Sequence, residues 1–236
     1  MSAAGTRRHP RRTQFDYLHL QRLLDDLQPA LGQLAEPGDV VLDVFCGSRP
    51  YDDLYARDVR VIGLDIEDRY GVADIVTTEF LPGEDGAYDA VACIEAFHYV
   101  ADPARGAREL RRIVKPGGRL LVSVPLVWEY DRGIPEHRYT SGSLRQLFED
   151  WDDVTVIENG GRTVTWTLVT GTMLNAAEEE LSSRLPRPLV HGAFKLAYAA
   201  LNALGAALET IERRRRHPTL TLAPNIMLTA RRPADG

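Results

Sequence analysis

The chain has 236 residues, of which 44% are hydrophobic and 26% charged, and its formal net charge is −6. This composition is typical of a globular protein with a packed core, and it excludes a disordered chain. The acidic balance also argues against nucleic acid as a partner. Two cysteines are too few for a disulfide framework, and no signal peptide or membrane-spanning run is found, so a cytoplasmic protein is expected.

The first elements read from the sequence are an arm, a helix and a series of strands. Residues 1–12 are polar and basic and are expected to be a disordered arm. From Gln14 to Leu34 leucines recur with a helical period, which predicts an amphipathic helix that ends before Pro37-Gly38. Five strands are then predicted, at Val40–Phe45, Val59–Leu64, Val72–Val76, Tyr88–Ile94 and Arg119–Val124. A helix is predicted at Pro103–Lys115, before the last of these strands. Strands that alternate with helices predict a doubly wound α/β fold with a mostly parallel sheet.

The alternation stops after a sixth strand. A helix is predicted from Ser141 to about Asp150, followed by a strand at Val154–Glu158. Residues 161–218 have a helical composition broken at Pro186 and Pro188, and only then does a last strand follow, within residues 219–236. The sequence therefore predicts seven strands, with a core over residues 13–160 and a helical insert before the last strand.

Two strands of this sheet end in a carboxylate. Asp43 is followed by a tight turn that contains Gly47, and Asp65 ends the next strand, 22 residues further on. This spacing is typical of an acidic side chain that accepts hydrogen bonds from ribose hydroxyls. A dinucleotide needs a glycine-rich helix start for its pyrophosphate, but Arg49-Pro50 occupies that region. S-adenosylmethionine (SAM), which has no phosphate, fits better.

Five segments in this order resemble class I SAM-dependent methyltransferases, specifically the small-molecule (type 11) group typified by ubiquinone-biosynthesis enzymes. The segments are VLDVFCGSRP, VIGLDI, DIVTTEFLPGEDGAYDAVACIEAFHYV, ELRRIVKPGGRLLVSVP and HRYTSGSLRQLF. The resemblance implies a Rossmann-like methyltransferase fold with SAM as the cofactor and no metal. The cofactor-binding residues that it implies are Asp43, Phe45, Cys46, Gly47, Ser48, Asp65, Ile66, Thr77, Ile94 and Glu95.

The chain departs from the family pattern at three of its positions. Phe45 and Arg49 stand where the DxGxGxG turn has its first and third glycine, and Thr77 stands where many members have an aspartate for the adenine amino group. Phenylalanine at the first position also resembles the DxFCG turn of RNA uridine-5 methyltransferases, so it is compatible with SAM. The catalytic cysteine motif of those enzymes is not found.

Two histidines are candidates for the general base that an oxygen or nitrogen nucleophile often needs. His98 follows the fourth strand and His137 follows the fifth, on the side of the sheet where an acceptor would enter. Either one can instead be a structural or surface histidine, because methyl transfer also proceeds by proximity and desolvation alone.

The sequence predicts an enzyme that transfers the SAM methyl group to a small-molecule acceptor. The expected acceptor atom is the oxygen of a hydroxyl or carboxylate, and the expected substrate class is a natural-product or glycan intermediate. The alternative is a catalytically defective scaffold or regulatory subunit. The insert carries more apolar surface than a small hairpin can hide. An acceptor lid is the favoured role, with a homodimer contact or peripheral membrane contact as alternatives to a monomer.

Overall fold

A computed structural model describes residues 3–78, 81–130, 132–214 and 221–234 of the chain. Seven strands and six α-helices make up its regular structure, together with 3₁₀ turns at Asp52–Leu54 and Phe97–Tyr99. The strands are β1 Val40–Val44, β2 Arg60–Asp65, β3 Ile75–Val76, β4 Tyr88–Ile94, β5 Val114–Pro125, β6 Asp152–Asn159 and β7 Asn225–Arg231. The helices are α1 Ala3–Arg8, α2 Tyr17–Gly32, α3 Pro103–Ile113, α4 Ser141–Leu147, α5 Arg162–Ser182 and α6 Arg187–Arg214.

The strands form one mixed sheet in the order β3-β2-β1-β4-β5-β7-β6. The pairs β2–β3, β1–β2, β1–β4 and β4–β5 are parallel. Near the start of β5 the Gly117 amide donates to the Arg232 carbonyl, just beyond the end of β7, so β7 runs opposite to β5. The predicted α/β fold, with a helical insert before the last strand, is confirmed.

Burial follows from the sheet order. The central strands β1, β4 and β5 consist of nearly continuous apolar runs, as in Val41-Leu42 and in Val91 to Cys93, because they are covered on both faces. The core around them includes Phe97, Phe148 and Leu110. Helix α3 starts at Pro103 with the Asp102 side chain accepting from the Arg105 amide, a regular N-cap.

Several element boundaries differ from those predicted. Strand β3 contains only Ile75 and Val76, because the amides of Val72 and Ala73 donate to the Asp68 side chain and form a turn. Strand β5 starts at Val114 instead of Arg119, and a bulge opposite Tyr88 takes up the extra residues.

Two further differences concern helices. The arm predicted to be disordered over residues 1–12 includes the short helix α1, in which the His9 amide donates to the Gly5 carbonyl at 3.1 Å. In the described part of the connections between β1 and β4, the 3₁₀ turn at Asp52–Leu54 stands in place of crossover helices.

The chain divides into two compact units, each described by itself. The sheet unit contains Asp26–Ile157 and Ile226–Gly236, and the helical unit contains Met1–Asp25 and Glu158–Asn225. Most of the sheet lies in the first unit, and helices α5 and α6 of the predicted insert lie in the second. None of the described helices is long and apolar enough to cross a membrane.

Candidate active site

The candidate site lies at one edge of the sheet unit, where parallel strands end together. Asp43 of β1 is paired in register with Gly63 of β2 on one side and Ala92 of β4 on the other. The loops that follow these strands therefore start next to one another. The carboxyl edge of an open parallel sheet is the usual place for a ligand.

The loop after β1 alternates between ordinary and left-handed backbone. Phe45, Gly47 and Arg49 have φ angles of 58°, 53° and 51°. A residue with a Cβ in this region costs about 1 kcal/mol or more, and glycine avoids that cost. The two departures from the glycine pattern therefore leave the left-handed conformation in place, at the expense of strain that the surrounding contacts must offset.

Asp65 fixes this loop from the neighbouring strand. Its Oδ2 accepts from the Gly47 amide at 2.8 Å, and its Oδ1 accepts from the amide of Ile66, also at 2.8 Å. The Cys46 amide donates to the Leu64 carbonyl at 3.1 Å. The carboxylate predicted to bind ribose thus also holds the glycine turn in its shape.

Arg49 makes a second tie that sequence reasoning missed. Its guanidinium donates to the carboxylates of Asp52 and Asp74 and to the Val61 carbonyl, at 2.8, 2.6 and 3.1 Å. Asp74 Oδ2 also accepts from the Gly63 amide at 2.8 Å, a hydrogen bond that, together with Arg49, holds the pKa of Asp74 below its usual value. The sequence signal for these contacts was the arginine at a position where the family has glycine.

Gly63 is required for this packing. A Cβ at that position would lie 2.9 Å from Cys46 Sγ and 3.2 Å from a guanidinium nitrogen of Arg49. Cys46 is buried, and burial raises the pKa of its thiol to about 12, with Asp43 adding to the effect. Cys46 therefore serves in packing and stays protonated, while Ser48 is half-buried on the same turn.

Asp43 is a buried carboxyl with an unusual titration. Burial raises its pKa to about 7, and the nearby carboxylate of Asp52 adds to the rise. The phenol of Tyr55 belongs to the same environment, since burial and then Asp43 raise its pKa. A cation brought next to Asp43 would favour its ionised form.

Apolar side chains are exposed beside Asp65. Ile66 follows β2, and Val76 is the residue paired with Asp65 on β3, and both side chains are exposed. Thr77 comes next and donates its amide to the Asp65 carbonyl at 3.0 Å. Three of the predicted contacts, Asp65, Ile66 and Thr77, are therefore adjacent at the end of two paired strands.

Glu95 begins the loop after β4 in a strained conformation. It has a φ of 55°. Its amide donates to Ser123 Oγ of β5 at 3.0 Å, and Ser123 Oγ donates to Glu95 Oε1 at 2.8 Å. Ile94, the last residue of β4, is buried. The Ser123 partnership is a second feature that the sequence did not reveal.

The two candidate histidines lie in neighbouring loops. The His137 amide donates to the His98 carbonyl at 2.8 Å, so the loop after β5 is tied to the turn after β4. His98 is buried, which lowers the pKa of its imidazole to about 4, with the Arg138 guanidinium contributing. His137 is half-buried, and its ring centroid lies 6.1 Å from that of Tyr139.

Two of the buried polar atoms in these loops have no hydrogen-bond partner among the described residues and suit a ligand. They are His98 Nδ1 and the hydroxyl of Tyr139. Burial raises the pKa of Tyr139 to about 12, so it stays a hydroxyl that can donate. Buried atoms of this kind are uncommon in proteins, and a ligand with its own polar group would satisfy them.

The residues present fit SAM. A Cβ at Gly47 would meet nothing within 4 Å, so the turn offers its bare backbone to open space. Asp43 has a carboxylate that could meet an ammonium group, Asp65 has one that could accept from ribose hydroxyls, and Ile66 with Val76 forms an apolar surface that could receive a base. Among the described residues no group of histidines, cysteines and carboxylates could hold a metal ion.

Comparison with known proteins also indicates a methyltransferase. A family model described as a methyltransferase domain matches residues 16–168. The chain is 32% identical over 135 residues to 2-methyl-6-phytyl-1,4-hydroquinone methyltransferase of Synechocystis sp., covering 49% of this chain and 41% of that protein. It is 33% identical over 111 residues to ubiquinone biosynthesis O-methyltransferase of Sodalis glossinidius, covering 39% of this chain and 45% of that protein.

A solved structure shares the fold. Phosphoethanolamine N-methyltransferase 2 of Haemonchus contortus, in complex with SAM, superimposes with a TM-score of 0.52 at 12% identity, covering 90% of this chain and 52% of that one. The chain spans less than half the length of the two curated relatives.

Proposed function

The chain belongs to the family of SAM-dependent methyltransferases, and on that premise we propose that it transfers the methyl group of SAM to a hydroxyl or carboxylate oxygen of a small molecule, of the kind found in natural-product or glycan intermediates. The observation that carries this proposal is the loop after β1. It keeps left-handed backbone at Phe45, Gly47 and Arg49, and Asp65 ties its Gly47 amide. Backbone strain of this kind clusters at ligand-binding sites, which supports a cofactor site at this loop.

The cofactor side acts by binding and orienting. Asp43 would ionise to hold the ammonium group, Asp65 would accept from the ribose hydroxyls, and Ile66 and Val76 would contact the adenine ring. Thr77 offers a hydroxyl where many relatives have a carboxylate. SAM supplies an electrophilic methyl group on a sulfonium sulfur.

The acceptor side supplies a base and a polar pocket. His137 would take the proton of the acceptor hydroxyl, and bound SAM would supply the methyl group to that oxygen and leave as S-adenosylhomocysteine. His98, whose pKa is about 4, is a poor base near neutral pH and instead orients the acceptor through Nδ1. The loops after β4 and β5, which carry both residues, are joined by the hydrogen bond from the His137 amide.

The choice of oxygen as the acceptor atom draws on the name of one relative, and the choice of the first acceptors to test draws on the name of another. The Sodalis protein is named as an O-methyltransferase, and the Synechocystis protein is named for a hydroquinone. Hydroxylated aromatic compounds are therefore the first acceptors to test, followed by sugars with free hydroxyl or carboxyl groups.

The test is to incubate the full chain with isotopically labelled SAM and this acceptor panel, and to follow label and product mass together. We expect one class of acceptor to gain a single labelled methyl group on oxygen, as judged by fragmentation. Methylation on nitrogen or carbon would overturn the oxygen assignment. Tight SAM binding without turnover on the panel and on a metabolite extract would favour the scaffold role instead.

A further inference from the structure

Helix α6 of the helical unit is apolar on two opposite sides. The polar groups on the buried side have hydrogen-bond partners. Asn202 donates to the carbonyls of Arg12 and Gln14, at 3.0 and 2.8 Å, and Glu209 accepts hydrogen bonds from the guanidinium of Arg22. A Cβ at Gly205 would lie 2.4 Å from Thr167 Oγ1, so α5 and α6 are in close contact. A surface helix normally has a polar outer face, and a helix that is apolar all round is normally covered all round.

The outer side of α6 is a continuous apolar stripe. At 100° per residue its members fall within about 80° of one another on the helical wheel, and the stripe is about 33 Å long. All of them are exposed, with Leu189 at 73% and Leu196 at 75%. The stripe consists of Leu189, Ala193, Leu196, Ala200, Leu204, Ala207 and Ile211.

The stripe is symmetric about its middle residue. Counting outward from Ala200, the next members are Leu196 and Leu204, each four residues away. Ala193 and Ala207 follow at seven residues, and the large side chains of Leu189 and Ile211 follow at eleven. Large and small side chains therefore recur in the same order whether the helix is read forward or backward. When a helix packs antiparallel on an identical copy across a two-fold axis at Ala200, each residue lies level with the partner residue at the mirrored position, so this pattern sets large side chains level with large ones and small with small.

We infer that α6 is the interface of a homodimer, in which the stripe of one chain packs antiparallel on the same stripe of a second copy, with the two-fold axis at Ala200. The small side chain of Ala200 lets the two helices approach at their crossing point. Leu196 then lies level with the partner's Leu204, and the space above the alanines receives the ends of the leucine side chains, as in interdigitated helix packing.

The exposed area of the stripe is compatible with a second copy of the helix packing on it. The four large side chains of the stripe are between half and three quarters exposed. Two such stripes laid together bury on the order of 1,000 Å², about the least that a specific interface must bury. One stripe contributes about half of that area, which is in the range of the largest apolar patch on a typical monomer, a patch that is often functional.

The residues beside the stripe argue against a membrane as the occupant. Helices that lie on anionic membranes have basic residues along their polar border. On one side, the stripe is bordered by uncharged residues, which are Gly192, Ala199, Ala203 and Thr210. Lys195 lies about 140° from the centre of the stripe on the helical wheel. Arg213 and Arg214 come only at the end of α6, and Arg213 is paired with Glu209.

The first test measures the mass of the full chain by light scattering after gel filtration, at concentrations up to about 100 µM. We expect a dimer for the parent and a monomer for Leu196→Glu, which places a charge against the partner's Leu204. The matched control is Met173→Glu on α5, a side chain with 70% exposure that lies off the stripe, and it should stay dimeric. A monomeric parent, or a Leu196→Glu variant that remains dimeric, would overturn the inference.

The second test checks the register with disulfides. Ala200→Cys should cross-link to its own copy under mild oxidation, whereas Ala193→Cys should cross-link only when mixed with Ala207→Cys. Both native cysteines are buried and do not interfere. Equal self-cross-linking of Ala193→Cys and Ala200→Cys would contradict the two-fold axis at Ala200. Binding of a monomeric parent to anionic vesicles, lost in Leu196→Glu, would assign the stripe to a membrane instead.

Discussion

Two parts of the same sheet edge differ in how their polar groups are held. In the cofactor part, after β1 and β2, Asp65, Arg49 and Asp74 are each fixed by two or more hydrogen bonds. In the acceptor part, after β4 and β5, His98 Nδ1 and the Tyr139 hydroxyl are buried without a partner among the described residues. The turn after β1 is therefore organised before any ligand arrives, whereas the loops after β4 and β5, like the Tyr55 hydroxyl near Asp43, leave buried polar atoms that a ligand could satisfy. Each unpaired buried atom costs about 1 to 3 kcal/mol, which a matching acceptor would recover.

The largest effect is expected from breaking the acceptor part alone. His137→Ala should lower turnover by about 10²- to 10⁴-fold, the usual contribution of a general base, and leave the SAM dissociation constant nearly unchanged. Steady-state kinetics on the identified acceptor and calorimetry with SAM provide the two readouts.

The matched control is His191→Ala, an exposed histidine of α6. Parental turnover in His137→Ala would remove the base role and turn attention to His98, tested by the same pair of measurements. Loss of thermal stability and SAM affinity together would instead make His137 a structural residue.

In the cofactor part, the ionised Asp43 carboxylate is expected to lower the stability of the fold while it favours SAM binding. Its pKa is raised to about 7 in the folded chain, so the folded state binds more protons than the unfolded state between about pH 4 and 7. Stability is therefore lost as pH rises through this window. Asp43→Asn should raise the free energy of unfolding by on the order of 3 kcal/mol at pH 8 and by almost nothing near pH 4. Denaturant titrations at both pH values test this, and equal gains at the two would contradict the raised pKa.

Asp65→Ala should weaken SAM binding by about 1 to 3 kcal/mol, roughly 5- to 150-fold, because it removes the acceptor of two ribose hydroxyls and also releases the Gly47 amide. The free-energy difference is read from calorimetric dissociation constants. Asp85→Ala, an exposed carboxylate elsewhere in the sheet unit, is the control. An unchanged constant for Asp65→Ala would show that the ribose lies elsewhere.

The smallest effect concerns strain in the loop after β1. Arg49→Ala and Arg49→Gly both lose the contacts with Asp52 and Asp74, but only glycine is at ease at a φ of 51°. Arg49→Gly should therefore be about 1 kcal/mol more stable than Arg49→Ala. Equal stability by chemical denaturation would mean that the left-handed backbone stores no strain here.

The geometry of the proposed cofactor part was largely predictable from sequence, and that of the proposed acceptor part was not. Asp43, Gly47 and Asp65 stand at the ends of apolar strands with a familiar spacing, and strand ends in a parallel sheet must meet. The ties made by Arg49, Asp74 and Ser123 depend on long-range packing, which local patterns do not encode. The unpaired atoms in the loops after β4 and β5 depend on burial, and only the structure gives that.

The same contrast holds for the fold. The long apolar strands and helices were predicted within a few residues, because their periodicity is set by burial. The short β3 and the early start of β5 were missed, since side-chain capping by Asp68 and a bulge opposite Tyr88 decide them. The spacing of the stripe on α6 is visible in the sequence, but the exposure of its side chains is known only from the structure.

The most direct test of the account is calorimetric titration of the full chain with SAM between about pH 5 and 6.5, below the range where the α-amino group of the ligand titrates. An ammonium group next to Asp43 requires the ionised carboxylate, so we predict that affinity increases about 10- to 30-fold as pH rises across this range toward the pKa of Asp43, which is about 7. Asp43→Asn should bind weakly at every pH, with a flat profile. No binding of SAM at millimolar concentration, or equal affinity across this range in the parent, would contradict the assignment of this edge to the cofactor.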